Sequence, residues 1–99
     1  SSAASDVYKR QVYKRAYEQF PGDIVAVLNY ANALLKYGKD ADGALQVLEV
    51  VREDSRVLFP MAIAYDMKGD WRKAEKLLAE AAARGCNRAK AFKAVRVNE

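Results

Sequence analysis

The chain has 99 residues, of which 52% are hydrophobic and 30% are charged, a balance typical of one small folded domain and not of a disordered segment. Its single cysteine excludes an internal disulfide bond. It has no histidine, the commonest general base and metal ligand. No apolar run approaches the ~18 residues of a membrane span, and the net charge of +4 comes from cations interspersed with anions, as on solvated helix faces.

The first eleven residues stand apart from the rest of the chain. Ser1 to Gln11 match, in a single reading frame, the translation of a common transposase-type sequencing adapter. We therefore interpret residues 1–11 as a non-native leader, leave them out of the functional argument, and expect the natural protein to begin further upstream. Residues 12–15 repeat the tetrapeptide of residues 7–10, and they are either a second piece of the adapter or native sequence. The sequence indicates no cellular compartment.

The first predicted helix begins at Val12 and ends at the dipeptide Pro21-Gly22, because proline has no N–H to donate and glycine interrupts the helix. Its apolar residues recur at helical spacing on one face: Val12, Tyr13, Ala16, Tyr17 and Phe20. The following residue, Asp23, has a side chain suited to capping the next helix. Residues 12–22 therefore form one predicted unit.

The second and third predicted helices form a pair joined by a glycine turn. The second runs from Ile24 to Tyr37, and Gly38 is expected to end it with a positive φ. Either Asp40 or Asp42 caps the third, which is predicted to run to about Arg52.

The fourth predicted helix runs from Arg56 to Lys68, with Ser55 as its expected N-cap. Pro60 lies about one turn inside it, and proline is tolerated only in the first turn of a helix. This helix therefore either begins late, near Phe59, or is irregular there.

The fifth helix follows Gly69, and Asp70 is its predicted N-cap. Its buried stripe is predicted to comprise Trp71, Ala74, Leu77, Leu78 and Ala81. The dipeptide Arg84-Gly85 closes it, and Asn87 is expected to cap a last segment over residues 88–97. This last helix lacks a partner, so we expect marginal stability or self-association through it.

Two stretches of the chain repeat one another. Leu34 to Lys39 and Tyr65 to Asp70 each follow an alanine-rich amphipathic run and precede an Ala-x-x-x-Leu run. The glycines of the two copies, Gly38 and Gly69, lie 31 residues apart. A period near 30 to 34 residues with two helices in each period is typical of a helical solenoid.

At these positions the chain resembles the tetratricopeptide repeat (TPR) family. The family pattern places large and small apolar residues at fixed points in two helices that are joined by a glycine turn. The matching residues are Val27, Tyr30, Ala31, Leu34, Ala44, Leu48 and Val51 in residues 24–54, and Leu58, Met61, Ala62, Tyr65, Ala74, Leu78 and Ala81 in residues 55–86. Independently of the family, Ala31 opposite Ala44 and Ala62 opposite Ala74 would let paired helices cross at ~8–10 Å.

The resemblance implies an all-α fold of antiparallel helix–turn–helix repeats, stacked as a short right-handed α-solenoid. Residues 12–22 would be the second helix of a truncated preceding repeat, and residues 87–99 would begin a following repeat or form a capping helix. Two phrases, over residues 54–58 and 95–98, also resemble TPR proteins of bacterial pilus and secretion assembly. The chain departs from the family in four ways: an extra residue in the turn after Gly38, a short linker between the two repeats, no closing proline after Val51, and Arg96 where a small residue is usual.

The resemblance further implies a concave groove, lined by the first helix of each pair, that holds a peptide or helix of a partner protein. The candidate groove residues are Val25, Leu28, Asn29, Asn32, Leu35, Lys36, Arg56, Phe59, Ile63, Asp66, Met67, Lys90 and Lys93. The two asparagines can bond a peptide backbone in both directions, or they are solvated or bridge neighbouring repeats. The lysines and Arg56 favour an acidic segment or a C-terminal carboxylate. The carboxylate clamp of chaperone-binding relatives is not expected, because Leu28 and Pro60 occupy places where basic residues belong.

No pair of acidic residues, phosphate loop or metal-ligand cluster is apparent, so we expect a non-catalytic protein without a metal or cofactor. Cys86 is interpreted as a small loop residue and Trp71 as part of the repeat core. The alternative functions are a structural spacer within a larger protein and, ranked last, a nucleic-acid-binding helical repeat. The last is disfavoured because equivalent positions differ between the repeats, with Asn29 matched by Pro60 and Asn32 by Ile63.

Overall fold

The computed structural model describes the backbone of residues 2–97 and the side chains of residues 3–92. All regular secondary structure in this part of the chain is helical, which confirms the predicted all-α class. The elements are α1 (Ser2–Gln19), α2 (Ile24–Lys36), α3 (Ala41–Glu49), a 3₁₀ turn (Ser55–Val57), α4 (Leu58–Met67), α5 (Trp71–Ala83) and α6 (Asn87–Val97). None of the described helices is long and apolar enough to span a lipid bilayer.

Helix α1 begins at Ser2, not at Val12 as expected, and it packs mainly against α2. The prediction of one inward apolar face is wrong for three residues, because Val12, Tyr13 and Phe20 are exposed. A helix that packs mainly on one neighbour covers only a narrow stripe of its surface. On that stripe Ala16 and Tyr17 are half-buried.

Three predicted N-caps are confirmed. The Asp23 carboxylate accepts hydrogen bonds from the backbone N–H groups of Val25 and Ala26, the first at 2.8 Å. Asp40 accepts from the Gly43 N–H at 2.9 Å, and Asp70 accepts from an N–H in the first turn of α5 at 3.3 Å. Each aspartate satisfies donors that have no partner within the helix, which fixes where α2, α3 and α5 begin.

The cap of the fourth helical segment differs from the prediction. Asp54, not Ser55, accepts the backbone N–H of Arg56 at 2.9 Å, because the chain passes through a 3₁₀ turn before α4 begins. Helix α4 starts at Leu58 and so places Pro60 in its first turn, where the missing N–H costs little. Of the two alternatives for this helix, the late start is therefore the one observed. Two other ends also shift, since α3 stops at Glu49 and α6 begins at residue 87.

The two glycine turns use different residues for the left-handed conformation. Gly69 ends α4 with a φ of 82°, but the expected positive φ at Gly38 is wrong, and Lys39 adopts a φ of 51° instead. In both turns the left-handed residue directly precedes the capping aspartate, whose N–H closes the turn onto a helix carbonyl. The extra residue in the first turn moves that position from Gly38 to Lys39. Space at Gly38 is also tight, since an added Cβ would lie 3.0 Å from the Leu34 carbonyl oxygen.

Gly69→Ala is expected to lower the free energy of unfolding by about 1 kcal/mol, because a Cβ is strained at positive φ even where space is open. Gly22→Ala is the matched control, since Gly22 also has open space but no positive φ, and it should be neutral or slightly stabilising. Urea unfolding followed by circular dichroism measures both. Equal effects of the two substitutions would contradict the conclusion that the positive φ at position 69 requires glycine.

The core consists of two clusters that share α4. In the first, fully buried residues of α2 and α3 meet α4: Val27, Ala31, Ala44, Leu48, Val57 and Ala64. In the second, α4 meets α5 and α6: Ala62, Leu78, Ala81 and Ala89. The four alanines predicted at the helix crossings, at positions 31, 44, 62 and 74, are all fully buried. Helices α2 and α3 form one packed pair, α4 and α5 another, and α4 also contacts α2 and α3.

For two side chains the observed burial is the reverse of the predicted burial. Trp71 was expected in the core but is 64% exposed, because it is the first residue of α5 and the buried stripe begins one turn later, at Ala74. Leu35 was expected in the groove but is buried in the first cluster. Single-residue burial at the ends and edges of helices depends on neighbours that periodicity alone does not specify.

Candidate interaction groove

A cavity of about 340 Å³ opens between α2, the start of α4 and the turn from α5 to α6. Four of the predicted groove residues line it, namely Leu28, Asn32, Arg56 and Phe59. Further lining residues were not selected from the sequence: Ser55, Pro60, Ala81, Arg84, Gly85, Cys86 and Arg88. Some of the predicted groove residues of the two helix pairs therefore meet at one place, and the turn before α6 completes it.

Phe59 lines this cavity and contacts two residues of α6. Its ring meets that of Phe92 edge to face, with the centroids 6.2 Å apart and the planes at 82°. The guanidinium of Arg88 lies over the Phe59 ring, 4.8 Å from the centroid, in a cation–π contact. Helix α4 contributes the ring and α6 contributes both neighbours, so these side-chain contacts position Arg88.

Asp54 holds Arg56 in place at the rim of the cavity. The Arg56 guanidinium donates to both carboxylate oxygens of Asp54, from Nε at 3.0 Å and from Nη2 at 2.8 Å, in addition to the backbone bond. The side-chain and backbone hydrogen bonds lower the pKa of Asp54 from its ordinary 3.8 to about 2, and the same pair raises the pKa of Arg56. The predicted role of Arg56 as a cation for the ligand is thus weakened, since its charge is already paired.

We expect the carboxyl group of Asp54 to titrate near pH 2, and Arg56→Gln to move its midpoint upward toward 3.8. A folded pKa below the unfolded value means that the pair adds stability above about pH 4 and that this contribution is lost as the pH falls to 2. NMR titration of the side-chain carboxyl carbon measures the midpoint. Arg52→Gln, which removes only a pair with Glu49, should leave it unchanged. An unchanged midpoint in the Arg56 variant would refute the assignment.

A smaller depression of about 130 Å³ lies between α1 and α2 and collects the other polar groove candidates of α2. Asn29, Asn32 and Lys36 line it together with Tyr13, Ala33 and Tyr37. Asn32 lines both cavities. The Lys36 ammonium lies 5.4 Å from the Tyr37 ring centroid.

The remaining predicted groove residues lie apart from these two cavities. Val25 is exposed on α2, and Lys90 is exposed on α6. Ile63 is half-buried against the first core cluster, and Asp66 is half-buried near the end of α4, whereas Met67 is exposed. The side chain of Lys93 is outside the described residues, as are the other side chains beyond residue 92, on which predicted self-association through the last helix depends. The candidate set is therefore divided between a compact site and scattered positions.

A third cavity, of about 540 Å³, lies between the end of α3, α4 and α5 and includes none of the predicted groove residues. Its floor is formed by Leu58, Met61 and Tyr65 of α4, which are half-buried, and its rim carries charges of both signs. The periodicity of α4 marks these three residues as inward-facing. It does not show that the gap between α3 and α5 leaves them partly uncovered.

Within the described residues, no group of three or more His, Cys, Asp or Glu side chains could hold a metal ion. Comparisons of the chain with protein-family models, with curated proteins and with solved structures find no match. The TPR resemblance therefore depends on the sequence pattern, and the function has to be argued from the cavity itself.

Proposed function

We propose that this chain is a non-catalytic protein–protein interaction module, in which TPR-like helix pairs bind a peptide or helix of a partner in the cavity between α2, α4 and the α5–α6 turn. The observation that supports this most is the convergence of Leu28, Asn32, Arg56 and Phe59 on one cavity. These residues come from two different helix pairs, so a ligand that fills the cavity would contact both.

The order of helix packing supports the TPR-like part of the proposal. Each pair, α2 with α3 and α4 with α5, is formed by neighbours in sequence, and the first helices of the two pairs also touch. Stacking of this kind places the first helices side by side, where their exposed faces form a continuous surface. Leu28 and Asn32 of α2 and Phe59 of α4 belong to those first helices and line the cavity.

The size and chemistry of the cavity favour a short segment of a partner. About 340 Å³ is near the lower end of the volumes of ligand sites, roughly 300–1,000 Å³. Its lining combines an apolar part around Phe59 with polar groups, Asn32 and Ser55, that can bond a peptide backbone. A few residues of extended chain or one turn of helix would fill it.

Blocking the cavity tests this function. Twelve-residue peptides selected on the wild-type chain from a random phage library would be labelled with fluorescein and titrated against Asn32→Phe, which places a ring at the cavity mouth. Affinity is expected to fall at least tenfold. Gln46→Phe is the control, because Gln46 is exposed on α3 and lines none of the three cavities described.

Amide chemical shifts should report the same site. Addition of a selected peptide is expected to move the signals of the cavity residues more than those of α1 or of the cavity between α3 and α5. Failure to select any peptide, or equal loss of affinity in the two phenylalanine variants, would overturn the proposal. If the chain is a spacer that only positions other domains, no peptide should be selected.

A further inference from the structure

The charges around the cavity are unbalanced. Its lining includes three arginines, Arg56, Arg84 and Arg88, and neither aspartate nor glutamate. Arg56 is already paired, because its guanidinium donates two hydrogen bonds to the carboxylate of Asp54, a residue that does not line the cavity. Within the described part of the chain, Arg84 and Arg88 have no carboxylate at ion-pair distance. Two unpaired guanidinium groups therefore lie beside an apolar pocket.

The two arginines come from opposite sides of one tight turn. Arg84 is the C-cap of α5, and Arg88 is in the first turn of α6. Gly85, with a φ of 94°, makes the turn between them possible. Because the helices on both sides are packed in the second core cluster, the turn holds the bases of the two side chains at a fixed separation.

Arg88 is also oriented for binding an anion. Its guanidinium lies over the Phe59 ring, which limits the freedom of the side chain. A guanidinium held over a ring keeps N–H donors at its edge, where a carboxylate can accept two of them in parallel. The anion would then lie next to the apolar part of the cavity.

We propose that the cavity binds a short acidic segment of a partner protein, with an apolar side chain inserted beside Phe59 and an adjacent carboxylate held by Arg84 and Arg88. This inference rests on the proposed function and adds the chemical class of the ligand. The unpaired charge is the argument for an anionic occupant, and the apolar pocket beside it is the argument for a peptide.

The test uses two libraries of labelled six-residue peptides that differ only in charge. One is built from Leu, Phe, Asp and Glu, and the other from Leu, Phe, Asn and Gln. The acidic library is expected to yield peptides that bind at least tenfold more tightly than their amide counterparts. Their affinity should fall as salt is raised from 50 to 500 mM, because ions screen exposed charges.

Arginine variants then locate the effect. Arg84→Gln and Arg88→Gln are each expected to weaken an acidic peptide about tenfold, and Arg88→Lys should restore only part of the loss, because an ammonium lacks the planar fork. Arg72→Gln is the matched control, since Arg72 is exposed on α5 and outside the cavity. Circular dichroism confirms that each variant is folded. A loss as large in the Arg72 variant would overturn the inference.

The outcomes separate the two proposals. If the amide peptides bind as tightly as the acidic ones and Asn32→Phe abolishes both, the acidic class is wrong and the interaction function stands. If a ten-nucleotide oligothymidine binds more tightly than any acidic peptide and Arg84→Gln weakens it, the anion is a nucleic-acid phosphate and the inference is wrong. If neither library yields a binder but a phage-selected peptide binds, the acidic class is wrong and the interaction function stands. If no phage-selected peptide binds either, both proposals fail.

Discussion

Leu48→Ala is expected to lower the free energy of unfolding by about 2–5 kcal/mol, the largest effect of any single truncation that we predict. Leu48 is fully buried in the first core cluster, between α3, α2 and α4. Its loss removes apolar contacts and leaves a cavity that the packed helices cannot close. Since domains of this size are stable by only about 5–15 kcal/mol, the variant should be close to unfolding at 37 °C.

Urea unfolding by circular dichroism measures this loss. The control is Val50→Ala, two residues further on, where the side chain is 65% exposed and the change should stay within about 0.5 kcal/mol. Similar effects at positions 48 and 50 would show that the first cluster is not packed as described.

Ala62→Leu is expected to destabilise the chain by about 1–3 kcal/mol through overpacking. Ala62 is fully buried in the second cluster on α4, the helix that packs most extensively against α5. A leucine there would have to push the two helices apart, because close-packed interiors have no spare volume for three more carbon atoms. The close crossing of α4 and α5 therefore requires a small residue at position 62.

Ala79→Leu is the control for the second variant. Ala79 is exposed on α5, and leucine is nearly as good a helix former as alanine, so its stability should be unchanged. Thermal melts of the two variants at equal concentration give the comparison. An Ala62 variant as stable as wild type would mean that the α4–α5 crossing is loose, and the repeat interpretation of the small residues would then fail.

The local signals in the sequence predicted local structure well. Asp23, Asp40 and Asp70 cap helices as expected, because a carboxylate next to unsatisfied backbone donors acts within three residues of its own position. The alanines at the helix crossings are buried for a similar reason, since helical periodicity specifies which side of a helix is apolar. The convergence of Leu28, Asn32 and Phe59 was predicted only through the repeat pattern.

The failures have a common physical origin in contacts between segments that are distant in sequence. Trp71 fits the apolar stripe of α5 but lies beyond the region that a neighbouring helix covers. Val12 and Phe20 fit a helical stripe, yet α1 packs mainly on one helix and leaves them exposed. The left-handed residue of the first turn, Lys39, depends on how the turn closes onto α2, and glycine preference alone pointed to Gly38.

The sequence alone determined the helical class, most of the helix starts and the small residues at the crossings, because those depend on periodicity and on donors within one turn. Only the tertiary structure decided which residues share a cavity. Nothing in the sequence indicated that Arg84 and Arg88 line a binding site, since a surface arginine is common in any helix. They acquire a role because the fold puts both in the lining of one cavity with Phe59, and Arg88 over the Phe59 ring, without a carboxylate partner among the described residues.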